Sequence, residues 1–159
     1  MTKKKPKSQS STIALNRKAR HEYFLEDKFE AGISLQGWEV KSIREGKVNL
    51  SDAYVVLHQG EAYLYGTQIQ PLKSASSHVI CDPERNRKLL LKKRELAKLI
   101  GLTERDGYTL IATAMYWKAC WVKLEFHLAL GKKHYDKRSD IKNKDWAREK
   151  ERMMKHSKR

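Results

Sequence analysis

The chain has 159 residues and a formal net charge of +15. This length fits one domain with tails, and because no long apolar run and no apolar leader is present, we expect neither a transmembrane helix nor a membrane partner. The charge is uneven: residues 1–20 carry seven Lys and Arg and no acid, and residues 131–159 carry twelve against five acids. Residues 21–130 are nearly neutral, which indicates a globular module with basic arms. The alternative is that the basic ends only keep the protein soluble.

The N-terminal third predicts a tail, two short helices and a strand. Residues 1–11 are low in apolar content, which is typical of disorder. A short helix is predicted over 17–24, with Asn16 as its N-cap. Apolar residues alternate over 29–37 and predict a strand. A second short helix is predicted over 38–46.

The middle of the chain predicts a hairpin, a loop and a helix. Two β-rich runs within 53–69 flank Gln59 and Gly60, and Gly60 can take the positive φ of a tight turn. The polar, proline-containing stretch 71–83 predicts a loop. Over 85–101 apolar residues recur at helical spacing, which predicts a single helix.

Two long β-rich runs, 108–119 and 120–130, end the predicted domain. The second run alternates two sets of side chains, a polar and aromatic set of Trp121, Lys123, Glu125 and His127 and an apolar set of Val122, Leu124, Phe126 and Leu128. About five strands with helices at the ends predict a mostly β fold with peripheral helices. We expect an OB-fold-like closed antiparallel β-barrel over 12–130.

Residues 131–159 predict a flexible basic tail. Ser139 can N-cap a helix whose first turn contains Asp140, and no Gly or Pro follows. The large apolar residues beyond that point are Ile141, Trp146, Met153 and Met154, too few to hold an isolated helix in water. The hypothesis is that the tail is disordered when free and helical along a polyanion.

Signatures of enzymes are missing from the sequence. His21-Glu22 begins like a zinc-protease HExxH motif, but Leu25 stands where the second histidine is needed. Phosphate-binding and dinucleotide-binding glycine motifs are absent, and the acidic residues are scattered. We therefore expect no enzyme activity, no cofactor and no metal. The alternative is a metal-independent ribonuclease site built from His21, His127 and Glu125.

The two cysteines indicate a reducing compartment. Cys81 and Cys120 form no metal-ligand pattern, and no secretory signal precedes them. They could pair in principle. A reduced cytoplasmic protein is the prediction.

Basic and aromatic residues are interleaved near the N-terminus, which is typical of RNA binding. Lysine and arginine neutralise phosphates, and rings stack on unpaired bases. The cluster consists of Arg17, Lys18, Arg20, His21 and Tyr23. The predicted helix 85–101 adds further cations, which are Arg85, Arg87, Lys88, Lys92, Lys93 and Arg94. The alternative is an ordinary solvated face, and for Lys92, Lys93 and Arg94 the two interpretations are equal.

Several long segments carry a family resemblance. "IALNRKARHEYFLEDKFEAGISLQGWEVKSIREGKVNLSDAYV" (13–55), "CDPERNRKLLLKKREL" (81–96), "YWKACWVKLEFHLALGKK" (116–133) and "DKRSDIKNKDW" (136–146) closely resemble the SmpB family of SsrA-binding proteins. The resemblance implies an OB barrel that binds the tRNA-like domain of transfer-messenger RNA. It also implies delivery of that RNA, charged with alanine and carried by elongation factor Tu, to stalled ribosomes for trans-translation, by a non-enzymatic protein that is monomeric when free.

The resemblance also implies RNA-facing positions on the barrel. These fall on Asn16, Glu30, Leu90 and Lys123, flanked by Arg17, Lys18, Arg20 and His21. Glu30 would accept hydrogen bonds from a base edge or orient a basic neighbour, and the alternative is a structural salt bridge. Leu90 would pack against an unstacked base, and the alternative is a core leucine.

The tail resembles the family segment that enters the ribosomal decoding centre and the empty mRNA channel. Gly131, Lys132, Lys133, Asp136, Lys137 and Arg138 match the "GKKxxDKR" pattern, and His134, Tyr135, Trp146, Met153 and Met154 complete the predicted contacts. Where the family usually has His before the Asp, this chain has Tyr135. Stacking on a base survives that change, but a charge-dependent role does not. A general OB-fold RNA-binding or ribosome-assembly protein is the alternative function.

Overall fold

The computed structural model describes residues 11–75, 78–104 and 107–157. The predicted disordered segment 1–11 therefore lies, apart from Ser11, outside the described residues. The elements are β1 (Thr12–Leu15), α1 (Arg17–Glu22), β2 (Tyr23–Ile33), α2 (Gly37–Arg44), β3 (Val48–Asn49), β4 (Tyr54–His58), β5 (Glu61–Tyr65), β6 (Gln68–Ile69), β7 (Arg87–Leu90), α3 (Lys93–Thr103), β8 (Tyr108–Lys118), β9 (Trp121–Gly131) and α4 (His134–Ser157).

The predicted mostly β fold with peripheral helices is confirmed. Seven strands form one antiparallel sheet in the order β1-β8-β4-β5-β7-β2-β9, and β8 also pairs with β9. Following the pairings from β8 through β4, β5, β7, β2 and β9 leads back to β8. The outer edge of β8 is shared, since β4 pairs near Ile111 and β1 pairs near Tyr116. A separate two-stranded sheet joins β3 and β6.

The two faces of β9 differ as predicted from its alternating pattern. Val122, Leu124, Phe126 and Leu128 are buried, whereas Trp121, Lys123, Glu125 and His127 face outward. Phe126 stacks on Phe29 of β2, with ring centroids 5.6 Å apart. The inner faces of the strands therefore build one core, and the outer face of β9 is free to carry polar chemistry.

The predicted hairpin is confirmed in detail. Strands β4 and β5 are joined at Gln59 and Gly60, which take φ values of 49° and 73°. Two successive residues with positive φ match the right-handed twist of the flanking strands.

Both cysteines are free thiols. Among the helices of the described residues, none is long and apolar enough to cross a membrane.

Three predicted elements need correction. The predicted helix over 85–101 is wrong in its first half, because β7 runs from Arg87 to Leu90 and α3 begins only at Lys93. Burial alternates along β7, so the segment obeys a period of two rather than 3.6. Strand β2 starts at Tyr23, earlier than predicted, and ends at Ile33. Helix α1 correspondingly ends at Glu22.

The tail helix begins before its predicted start. Helix α4 starts at His134, and Ser139 lies inside it, where its hydroxyl donates to the Asp136 carbonyl at 2.8 Å. The carboxylate of Asp136 instead accepts from the Lys133 amide at 3.3 Å and satisfies a backbone N–H at the helix start. The expectation that this segment is unstructured until it binds a polyanion stays a prediction.

A buried ion cluster fixes β7 to α2. Arg87 and Glu39 are both fully buried, and Arg87 Nε donates to Glu39 Oε1 at 2.7 Å. Arg85 Nη2 donates to the other carboxylate oxygen at 2.7 Å. Burial alone would raise the pKa of Glu39, but hydrogen bonds from Arg85, the Gln36 amide and Arg87 hold that pKa below its ordinary value. The charged carboxylate thus sets the position of the strand that ends at Leu90.

Candidate nucleic-acid interface

An open groove lies on the outer surface where β2, β7, the start of α3 and β9 meet. Its volume is about 820 Å³, and its lining includes Lys28, Glu30, Lys88, Leu90, Lys92, Lys93 and Lys123. Three of the four positions implied by the resemblance, Glu30, Leu90 and Lys123, are therefore brought together. We call this surface the lysine groove.

Leu90 supplies an exposed apolar surface within the lysine groove. Its side chain is 57% exposed, so it is not a core leucine. Leu90 pairs with Gly32 of β2 in the strand register. A Cβ on Gly32 would meet the Leu90 Cβ at 3.2 Å, which is tighter than most such contacts. The missing side chain at Gly32 therefore lets Leu90 lie down on the strand.

Glu30 makes the structural ion pair that was the alternative interpretation of this residue. It accepts a hydrogen bond from the Tyr116 hydroxyl, and Lys118 Nζ lies 3.0 Å from its Oε1. The hydrogen bond from Tyr116, followed by that from Lys118, lowers the pKa of Glu30. Burial, together with the same hydrogen bond, raises the pKa of Tyr116. Glu30 is therefore a stable anion that lines the groove and orients Lys118, which lies outside the lining.

The lysines of the groove fall into two groups. Lys88 pairs with Glu61 at 2.5 Å, and Lys28 pairs with Glu125 at 2.6 Å. Within the described part of the chain, Lys92, Lys93 and Lys123 make no ion pair. These three ammonium groups are available to an anionic ligand without first leaving a carboxylate.

Asn16 is placed away from the lysine groove. It is only 5% exposed, its amide nitrogen donates to the Ala112 carbonyl at 2.9 Å, and its carbonyl oxygen accepts from the Ala19 amide at 3.0 Å. These bonds confirm the predicted N-cap and tie α1 to β8. Asn16 and Lys18 line a separate concavity of about 290 Å³ that shares no residue with the groove.

The other N-terminal cations lie on α1 itself. Arg17 and Arg20 are exposed, and Lys18 is exposed and pairs with Asp52 at 3.0 Å. The structure therefore divides the predicted RNA-binding residues into two sets, one in the lysine groove and one around α1.

Two residues of the ribonuclease alternative, Glu125 and His127, meet at the Thr113 hydroxyl, which donates to Glu125 Oε1 at 3.3 Å. His127 Nδ1 lies 3.1 Å from the Thr113 hydroxyl, and burial lowers the pKa of His127 although Glu125 opposes the shift. The Glu125 carboxylate is paired with Lys28. His21 contributes, after Lys132, to lowering the pKa of Asp140 in α4. In the described residues no group of three or more metal-binding side chains is found.

The "GKKHYDKR" segment splits into an inner and an outer set. Lys132 belongs to the inner set: its side chain is 8% exposed, and its ammonium lies 2.5 Å from Asp140 Oδ2 and 3.2 Å from the Arg20 carbonyl. The same ammonium lies 4.9 Å from the centroid of the Phe24 ring. Lys132 therefore anchors the start of α4 to the domain, and we call this contact the Lys132–Asp140 anchor.

The outer set is free of the anchor. Gly131, Lys133, His134, Tyr135 and Arg138 are exposed, whereas Asp136 and Lys137 are half-buried. Tyr135 exposes 66% of its surface. Farther along α4, Trp146, Met153 and Met154 are exposed, and Lys150 lies over the Trp146 ring at 5.7 Å. The cations and rings of this helix thus face outward along most of its length.

Some residues of the surface were assigned to the wrong element or given no role from the sequence. Lys88, Lys92 and Lys93 were assigned to a helix, which hid their place at a strand end and a helix start. Lys118, Tyr116 and Trp121 lie on the outer face that the alternation of β9 indicates. Their shared location follows from cross-strand register, which the pattern of one strand does not contain.

The fold and the surface together define a class of protein. A mostly β antiparallel domain with a lysine-rich groove, an exposed leucine within it and a basic helical arm is a nucleic-acid-binding protein. The family model described as "SmpB protein" matches residues 13–156. The chain therefore belongs to the SmpB family, which confirms the resemblance seen in the sequence.

Similar proteins match over nearly the whole chain. An SsrA-binding protein of Pseudoalteromonas translucida (strain TAC 125) is 74% identical over 153 residues, covering 96% of each chain. An SsrA-binding protein of Colwellia psychrerythraea (strain 34H / ATCC BAA-681) is 68% identical over 157 residues, covering 98% of this chain and 97% of the other. A chain in a solved structure described as "tmRNA-SmpB: a journey to the center of the bacterial ribosome" is 42% identical, with a TM-score of 0.63, covering 76% of this chain and 85% of that one.

Proposed function

We propose that this protein binds the tRNA-like domain of transfer-messenger RNA and delivers it to stalled ribosomes for trans-translation. The 74% identity to an SsrA-binding protein supports transfer-messenger RNA as the bound RNA. The likeness to a chain of a tmRNA–SmpB ribosome structure supports the ribosome as the place where the protein acts. The single observation on this chain that carries the proposal is the lysine groove, which places Glu30, Leu90 and Lys123 on one open surface.

The groove binds RNA through three kinds of contact. The free ammonium groups of Lys92, Lys93 and Lys123 neutralise phosphates and release counterions. Leu90 packs against the face of an unstacked base. Glu30 acts through Lys118, which it holds in an ion pair. The cationic side of α1 extends the contact to neighbouring phosphates through Arg17, Lys18, Arg20 and His21. Asn16 supports that set by capping the helix.

The architecture that carries this surface is an OB-type closed barrel over residues 12–130. The cyclic pairing from β8 through β9 and back supports the closure. Residues 131–159 form a basic tail that becomes a helix on the ribosome. The first part of the tail contacts the decoding centre through its outer set, Gly131, Lys133, His134, Tyr135 and Arg138, together with Asp136 and Lys137. The later part enters the mRNA channel with Trp146, Met153 and Met154.

The protein acts by binding and not by catalysis. It needs no cofactor or metal, is monomeric when free, works in the cytoplasm, and meets elongation factor Tu only through the charged RNA. The alternative, a general OB-fold RNA-binding or ribosome-assembly protein, differs in its RNA preference. The RNA that co-purifies with the full-length chain separates the two, because only the proposed function predicts transfer-messenger RNA in excess over transfer RNA.

A truncation tests the division of labour. A chain ending at Leu130 keeps the lysine groove, so its affinity for the tRNA-like RNA should stay within a few-fold of the full chain at matched salt. It should not support peptide tagging on stalled ribosomes, because the tail is gone. The matched control is the full chain with Lys123→Ala, which should weaken RNA binding while the tail is intact. Tagging by the truncated chain would refute the role of the tail.

A further inference from the structure

The turn between β8 and β9 presents a large aromatic side chain to solvent. Trp121 exposes 72% of its surface, the largest value among the exposed aromatic side chains of the described residues. Ala119 takes a φ of 54° in the turn, and Lys118 and Trp121 are register partners on either side of it. Because the turn and the strand pairing fix the backbone, the indole is held out from the domain and does not swing on a loose loop.

Trp121 extends the surface of the lysine groove toward the turn between β8 and β9. It lies on the same outer face of β9 as Lys123, which lines the groove two residues farther along. Across from Lys123 is Tyr116, whose hydroxyl bonds to Glu30. Glu30 also holds Lys118, the register partner of Trp121. One carboxylate therefore connects the groove to the cation beside the indole.

The charge around Trp121 favours a nucleic acid over a protein partner. The cores of protein–protein interfaces are depleted in lysine, whereas Trp121 has Lys118 and Lys123 as its neighbours on the face. In the described residues the indole takes part in no ring stack and no cation–π contact, so its π-face is open. An exposed ring on the same face as an unpaired cation, here Lys123, is an arrangement that stacks an unpaired base and holds a neighbouring phosphate.

We propose that Trp121 is a base-stacking residue that extends the RNA-binding surface beyond the lysine groove. An unpaired base of the bound RNA lies on the indole, and Lys123, which makes no ion pair in the described residues, neutralises a neighbouring phosphate. This inference rests on the proposed function, because it concerns the same RNA. Stacking on Trp121 adds a contact to an unpaired base of single-stranded RNA, next to the groove that binds the phosphate backbone.

Two substitutions at one position test the stacking contact. Full-length Trp121→Ala should bind the tRNA-like RNA about 5- to 100-fold more weakly than the unmodified chain, the range for loss of one base–aromatic stack. Trp121→Phe should keep most of the affinity, because phenylalanine also offers a π-face. Both variants should unfold thermally at the same midpoint as the unmodified chain, since the side chain is exposed.

The salt dependence separates stacking from charge. Trp121→Ala should leave the slope of log Kd against log salt unchanged, while Lys123→Ala should reduce its magnitude by about one. Equal binding by Trp121→Ala and the unmodified chain would overturn the inference, as would an equal loss in Trp121→Phe. If the unmodified chain itself shows no preference for transfer-messenger RNA over transfer RNA, the proposed function fails, a result that is distinct from either.

Discussion

Glu39→Gln should destabilise the domain strongly although it changes one side-chain atom. The carboxylate is fully buried between Arg87 and Arg85, and it accepts hydrogen bonds of 2.7 Å from each of them. Glutamine has the same shape, so no cavity is created and only the charge and one acceptor are lost. The amide nitrogen then faces the guanidinium groups, and the fully buried Arg87 retains its charge without a counter-ion.

The size of the effect follows from this geometry. Breaking a buried ion pair by removing one partner costs about 3–5 kcal/mol. A domain of this size is stable by about 5–15 kcal/mol, so the change removes a large share of that free energy of unfolding. With a urea m-value of about 2 kcal/mol/M, the midpoint of unfolding should fall by about 1.5–2.5 M. Urea unfolding followed by tryptophan fluorescence and by circular dichroism measures the shift.

A neighbouring arginine provides the matched control. The side chain of Arg85 is 29% exposed, and its removal leaves the pair between Arg87 and Glu39 intact. Arg85→Gln should therefore cost about 1.5–3 kcal/mol, the value of a hydrogen bond to a charged group, and less than Glu39→Gln. Should Glu39→Gln shift the urea midpoint no more than Arg85→Gln does, the buried charge is not what holds β7 in place.

Three further predictions follow from single contacts. The pKa of Glu39 in the folded protein lies below its ordinary 4.5. The charged carboxylate therefore stabilises the fold fully above pH 4.5, and this stabilisation is lost as the pH falls through the lowered pKa. Acid unfolding of Glu39→Gln should lack the loss of stability that comes from protonating Glu39. Gly32→Ala should cost about 1–3 kcal/mol and weaken RNA binding, because the new methyl group displaces Leu90; unchanged affinity would contradict the role of Leu90. Lys132→Met should raise the pKa of Asp140 toward its ordinary 3.8 in an NMR titration, and an unmoved pKa would argue against the Lys132–Asp140 anchor.

Elements defined by local patterns were predictable from the sequence. The alternation of β9 separates Phe126 from Lys123 correctly, and Asn16 caps α1 as its side chain and position suggest. The positive φ at Gly60 follows from the turn chemistry of the hairpin. In each case the information lies within a few residues of chain, which is the range over which propensity and periodicity act.

Elements that depend on distant partners were not predictable from the pattern. Arg87 is buried in β7 only because Glu39, far away in the chain, neutralises it. Without that partner the run around Leu89 and Leu90 fits a helix equally well. Lys132 was predicted from the resemblance to contact the ribosome, and its contacts within the domain, to Asp140 and the Arg20 carbonyl, were not predictable from the local pattern.

The candidate site was only partly visible in the sequence. Basic and aromatic clusters indicated RNA binding, but the positions of Glu30 and Leu90 came from the family resemblance and not from spacing. The groove is assembled from strands that are distant in sequence, so its shape depends on register between β2, β7 and β9. The role of Asn16 as a buried cap also depends on a distant group, the Ala112 carbonyl of β8.

The order of strand pairing has a consequence for the synthesis of this protein. The last strand made, β9, pairs with β2 near the beginning of the chain and with β8. Until residue 131 has been translated, β2 and β8 each lack β9 along one edge, so the core cannot close as the chain emerges. A nascent chain halted before β9 would expose two unpaired strand edges to aggregation and to proteases.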